Sequence, residues 1–266
     1  MCTVVLSLDP NSPVPVLLIG VRDEFLDRAW LGPRRHWPQW PELVGGRDLL
    51  AGGTWLAVNS AAPRAACVLN GHGKPAPADT RLSRGDLPLS LAARAAEPDL
   101  DLDRVVDVER HDPFHLVYAS SDSVRLWSWD GVELVDRALD PGLHLVVNSG
   151  LEGADDGLEG PGVQRMRARI EHFRPLLAAA DRPRPQSGPA PAAWGGWLTL
   201  ADGDGLDPDD ARALLVRADL EGRAWGTSSI SLVALSRGHV RYDFRAVQGD
   251  AGEWTTVLDS TPSTGR

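Results

Sequence analysis

The chain is poor in cysteine, nearly devoid of lysine and without any long apolar run. Its two cysteines, Cys2 and Cys67, build no disulfide framework, and one bridge between them is the most the count allows. The number fits a reducing compartment, and Cys67, set in an apolar run, reads as a buried thiol. No segment approaches the ~18–20 apolar residues that span a membrane. A secretory signal is not expected, because the start of the chain lacks a basic region and Asp9-Pro10 interrupts its first apolar run. We therefore expect a cytoplasmic protein. Basic surface is also short. Lys and Arg together number 27 against 37 Asp and Glu, a net charge of −10. Phosphate backbones need a basic face, so nucleic acid is excluded as the main partner. The locally basic pieces are Arg34-Arg35-His36 and Arg165 to Arg174, the second reading as the polar face of a helix.

Metal motifs are missing too. His111 and His115 are four apart, but Asp112-Pro113 breaks helical spacing between them, and the other five histidines are scattered. Asp202-Gly203-Asp204-Gly205 lacks the Gly at the sixth loop position and the Glu at the twelfth that an EF-hand requires. No metal site is expected.

The richest stretch is the first. Thr3 to Leu8 is β-branched and apolar, Asp9 to Pro13 is dense in turn formers, and Val16 to Gly20 is a second apolar run. This predicts a hairpin that brings the start of the chain beside Arg22-Asp23-Glu24. Removal of Met1 would make Cys2 the N-terminal residue. It would then carry a thiol nucleophile and its own base, since a free α-amino group titrates near ~7.7–8.0. A nearby Asp can orient that amine, and a nearby Arg can bind a substrate carboxylate or hold the Asp. Taken alone, the same residues also fit a small buried thiol and a solvated turn.

Downstream, Trp30, Trp37 and Trp40 lie in a Pro-rich stretch read as a loop, its rings either capping the core or lining a pocket mouth. Strands are predicted at Thr54 to Val58 and Arg64 to Leu69, the latter ending in Asn70. Asn70 is a turn former or an oxyanion donor. A short helix is predicted over Ser83 to Ala95, another over Leu100 to Val108, and a three-strand meander from Phe114 to Val135 with a two-residue Asp130-Gly131 turn. A strand at Leu143 to Val147 ends in Asn148. Val163 to Ala180 is amphipathic at helical spacing, with Pro175 expected to kink or split it. Residues 181–193 read as an exposed Pro-rich connector within one 1–266 domain. Asp207-Pro208 reads as a helix start. Three strands close the chain, Ile230 to Ser236, Val240 to Ala246 and Trp254 to Leu258. Strands in runs, then helices, then strands predict α+β with large antiparallel sheets.

With these segments in place, the sequence resembles the NRDE family, also called the transport and Golgi organisation protein 2 family. The likeness rests on Met1-Cys2-Thr3, Val21-Arg22-Asp23-Glu24-Phe25 with Arg28, Gly52-Gly53-Thr54-Trp55-Leu56, Ala65 to Asn70, Ser83-Arg84-Gly85, Asn148 with Leu151, and Trp225-Gly226-Thr227. It implies an N-terminal-nucleophile (Ntn) hydrolase-like fold, a four-layer αββα sandwich of two antiparallel sheets between helical layers. By the more distant likeness to penicillin V acylases and bile-salt hydrolases, Cys2 would attack and its amine act as base. Arg22 and Asp23 would organise the amine and substrate, and Asn70 and Asn148 would bind the oxyanion or orient the acyl group. Two positions depart from the family: Val21 stands where the name motif has Asn, and Ser228 where a basic residue is frequent. The expected function is cysteine amidohydrolysis of a small amide or N-acyl compound, with no cofactor required. The alternative is a non-catalytic carrier or chaperone for haem or a lipid or acyl-CoA ligand.

Overall fold

The β-branched run that opens the chain forms a strand, and the turn formers after it return the chain as predicted. The structure, a computed structural model, describes residues 3–94, 100–153, 158–247 and 252–260. Strands β1 (Thr3–Leu8) and β2 (Val16–Phe25) pair antiparallel, Thr3 opposite Val21. β3 (Trp30–Arg34), β4 (Leu43–Asp48), β5 (Leu56–Asn59) and β6 (Arg64–Asn70) follow, then helix α1 (Asp86–Ala93). The meander is β7 (Phe114–Ala119), β8 (Val124–Trp129) and β9 (Leu134–Ala138). Next come β10 (Gly142–Val147), β11 (Gly150–Leu151) and the helices α2 (Pro161–Ala179), α3 (Ala190–Trp194) and α4 (Gly196–Ala201). The chain closes with β12 (Arg217–Leu220), β13 (Arg223–Ser236), β14 (His239–Ala246) and β15 (Thr255–Ser260).

Two antiparallel sheets result. The first runs β11-β10-β1-β2-β13-β14-β15, with β12 beside β13; the second runs β3 through β9 in chain order. Period-2 alternation divides each strand between two cores. Val4, Leu6 and Leu18 of the first sheet meet Leu56, Cys67 and Leu126 of the second between the sheets. Val5, Ile19 and Leu232 on the outer face pack against Phe173, Trp194 and Trp197 of the helices. Leu116 and Trp127 on the outer face of the second sheet pack against Leu87 and Leu91 of α1. Three apolar layers between four structural ones define the αββα sandwich.

Several local expectations are corrected. The Trp-rich stretch opens with an edge strand, β3, whose pairing to β4 shifts between Leu31 and Arg34, where Pro33 lacks a donor. Trp37 is buried in the α1-side core with its indole N–H on the Gly52 carbonyl (3.2 Å), and Trp40 packs beside it. These rings cap the core. The Asp130 loop spans four residues, because the Asp130 carboxylate accepts the N–H groups of both Val132 and Glu133 (2.7 Å each). Leu100 to Val108 gives single 3-10 turns, Leu102–Arg104 and Val108–Arg110, not a helix. Asp207 likewise caps only a turn, accepting the Asp209 N–H at 2.9 Å. Pro175 lies inside one continuous helix. In the Pro-rich segment, Arg182 is half-buried and donates to the Val14 and Pro15 carbonyls (2.8 Å each), strapping the first hairpin.

Candidate functional site

Alternation along β2 sends Arg22 and Asp23 to opposite faces of the first sheet. Arg22 faces the second sheet and is almost fully buried. Its guanidinium lies 4.4 Å over the Trp55 ring, a favourable stacking of a cation on an aromatic face. It donates to Ser228 Oγ (3.0 Å) and Asp48 Oδ2 (3.4 Å), and Glu24 is 3.6 Å away. Asp48, at the end of β4, also receives Arg28 on both oxygens, at 2.6 and 3.2 Å, and the N–H groups of Leu50 and Ala51. Burial alone would raise the Asp48 carboxyl, but the Arg28 hydrogen bonds, the Ala51 N–H and the charges of Arg28 and Arg22 more than offset it. The group sits below its usual range.

Asp23 faces the helical layer. It accepts Thr227 Oγ1 at 2.6 Å, and Arg169 Nη1 of α2 is 3.8 Å from its other oxygen. Arg169, itself buried, donates to Thr3 Oγ1 (2.6 Å) and to the Ala213 carbonyl (2.9 Å). One guanidinium therefore ties the first described residue of β1 to the Asp of β2. Gly226, before Thr227, is needed for close approach: a Cβ there would lie 2.5 Å from the Val216 carbonyl oxygen, on the same segment whose N–H bonds Thr227 Oγ1.

Beside these groups opens a cleft of about 1020 Å³, to which Arg22, Asp23, Asn70 and Arg84 all contribute. Its far wall is fixed by contact between two glycines. A Cβ on Gly53 would sit 2.4 Å from the Gly85 carbonyl carbon, and the Thr54 N–H donates to the Gly85 oxygen (2.9 Å). The Gly-Gly-Thr and Ser-Arg-Gly segments are thus held backbone to backbone. Asn70 ends β6 exposed on the cleft, and its side chain has no hydrogen bond among the described residues. Asn148, in the turn between β10 and β11, is buried and donates through Nδ2 to the Asn70 carbonyl (2.7 Å), tying the two sheets together.

Of the residues singled out from the sequence, Arg22, Asp23 and Asn70 share this cleft. Asn148 reaches it only through the Asn70 backbone, and Cys2 lies outside the described residues. Val21 is fully buried under the helices. Ser228 fills its place by accepting from Arg22 and donating back to the Arg22 carbonyl (3.0 Å each). The sequence reading missed Asp48 and Arg169. Arg169 carried a signal, since it lies three residues after Met166 and four before Phe173, in the apolar stripe of its helix. The other thiol, Cys67, is free and wholly buried, and desolvation pushes it up to about 12, which leaves it inert at neutral pH.

The layers and the cleft define an α+β sandwich with a polar site beside the first hairpin. The family model for transport and Golgi organisation 2 matches residues 1–183, well over half of the chain, which belongs to that family. The matched span stops before β13, the strand that supplies Thr227 and Ser228. A search of curated proteins finds no match.

Proposed function

We propose that the cleft is the site of a cysteine amidohydrolase that uses Cys2 on a small amide or N-acyl compound. The observation that carries this reading is the buried chain Thr3–Arg169–Asp23–Thr227, which fixes the start of β1 against a carboxylate at the cleft edge. In the proposed reaction the α-amine takes the Cys2 thiol proton, and the sulfur attacks the carbonyl carbon. The C–N bond then breaks as the proton passes to the departing amine, and water hydrolyses the thioester to release the acid. Asp23 orients the amine. Arg22, engaged by Asp48, Glu24 and Ser228, shapes the wall and is not a substrate clamp. The exposed Asn70 amide is the oxyanion donor, and Asn148 positions it.

The carrier alternative, for haem or an acyl-CoA, draws less support. Such ligands call for apolar and aromatic walls, whereas Trp37 and Trp40 pack into the core and the cleft is walled by ion pairs. Intact mass and turnover on a panel of N-acyl amino acids test the proposal. Protein lacking Met1 and a loss of about 1000-fold or more on Cys2→Ala are expected. Retained Met1, or turnover unchanged by the substitution, would sink it.

A further inference from the structure

The cleft contains five arginines, and four of them are engaged. Arg22 and Arg28 hold Asp48, Arg81 holds Asp112 (3.2 Å), and Arg223 holds Asp27 (2.8 Å) while lying 3.8 Å over the Phe25 ring. Arg84 differs. The only hydrogen bond of its side chain among the described residues runs from Nη1 to the Pro113 carbonyl (2.8 Å), and no carboxylate there lies within ion-pair distance. Asp112 and Glu24 act on it through space, but Asp112 faces Arg81, and Glu24 stands 3.6 and 3.7 Å from Arg22 and Arg28.

The position is electrostatically uncomfortable. Burial disfavours the charged form of Arg84 and lowers its proton affinity, yet a guanidinium stays charged at neutral pH. Arg84 also precedes α1 by two residues; the helix N-terminus has no side-chain cap and carries Asp86 in its first turn. A partly desolvated cation with no ion pair among the described residues is costly, and an anion in the cleft relieves that cost. Ser83 and Asn70 line the same cleft with hydroxyl and amide groups.

We infer that Arg84 is the anion-binding residue of this cleft and that its substrate carries a carboxylate or phosphate away from the scissile bond. The inference rests on the cleft being the substrate site, and it reassigns to Arg84 the carboxylate-binding role that the sequence offered to Arg22. A planar guanidinium presents two parallel donors to a carboxylate or a phosphate alike.

The test uses the Cys2→Ala protein, so that turnover plays no part in the readout and failure of the hydrolase reading leaves the result intact. Protein labelled with 15N-arginine is titrated with N-acetylglycine, its uncharged analogue N-acetylglycinamide, and inorganic phosphate. The Arg84 Nε–H resonance is assigned by its absence in Arg84→Lys. N-Acetylglycine should shift that resonance saturably and N-acetylglycinamide should not, and phosphate should compete with the acid. Calorimetry should show Arg84→Gln weakening N-acetylglycine by about ten-fold or more, with Arg84→Lys retaining part of the affinity. A shift by phosphate but not by N-acetylglycine would restrict the substrate to phosphate compounds, still in support. Equal binding of acid and amide, undiminished binding by Arg84→Gln, or no shift from any of the three would overturn the inference. Thermal unfolding of Arg84→Gln checks that the variant is folded.

Discussion

Two arginine–carboxylate networks lie buried on the first sheet, and they are built differently. On β14, Arg241 and Asp243 are both wholly enclosed, with Nε on Oδ2 at 2.6 Å and Nη2 on Oδ1 at 3.0 Å. Trp194 Nε1 and Thr256 Oγ1 also donate to the carboxylate, and the Gly188 carbonyl accepts from Arg241. On β2, Arg22 is nearly as buried, but Glu24 beside it and Arg28, which shares Asp48 with it, are each about a quarter exposed at the edge of the cleft. Its sealed carboxylate, bonded on both oxygens, makes the first network a clamp between β14, β15 and α3, while Arg241 Nη1 has no hydrogen bond among the described residues and lies 3.7 Å from Asp259 Oδ2. The second is left open on one side, toward the cleft. A buried ion pair contributes little net stability over an apolar packing of the same shape, yet removing one member strands the other. That asymmetry gives the two networks different responses to substitution.

The largest effect is expected at the sealed network. Asp243→Ala leaves Arg241 enclosed without its principal counter-charge and should cost about 3–5 kcal/mol in urea unfolding. A loss under about 1 kcal/mol would show that water enters this part of the core, and the contrast with the cleft would disappear. Asp48→Asn comes next, at about 1.5–3 kcal/mol, the range of hydrogen bonds to charged groups. It should cost less than Asp243→Ala because Glu24 remains beside Arg22, and Arg28 can turn to water. Equal losses at the two sites would mean that the cleft wall is as rigid as the core.

The same contrast marks what could be read from the sequence. Runs such as Thr3 to Leu8 and Val240 to Ala246 announce strands because their apolar period is local, and the four layers follow from their order. Arg22 and Asp23 were found because they sit in a compact motif. Asp48 and Arg84 were not assigned their roles, since each depends on a contact across 20 or more residues. Arg241 and Asp243 alternate with Val240, Tyr242 and Phe244, a pattern that reads as a solvated face of a strand. They are buried because Gly188, in the stretch expected to be an exposed connector, and Trp194, just after it, fold over them. Asp207-Pro208 erred in the opposite direction. Its local capping signal is sound, but Ala213 and Leu214 behind it are drawn into the core, and the chain turns instead of coiling.

A third buried polar group, with no ion pair among the described residues, sharpens the comparison by the smallest effect. His111, next to Asp112, is nearly fully buried, and no described group bonds its Nδ1. Desolvation holds its proton affinity below the ordinary value; Asp107 and Asp112 oppose this, while Arg110 and Arg84 reinforce it. The sign follows from linkage. Between the folded pKa and the unfolded value near ~6.5, the unfolded chain binds more protons, so stability falls as pH drops through that window. The depressed Asp48 acts later, losing its contribution only as pH falls below ~4, where free aspartate protonates. Unfolding free energies at pH 7.5 and 5.0 therefore isolate the histidine. We expect wild-type protein to lose stability between the two, and His111→Gln, which cannot titrate, to lose less. An identical drop in both proteins would show that His111 is not the group responsible, and that other histidines set the acid response.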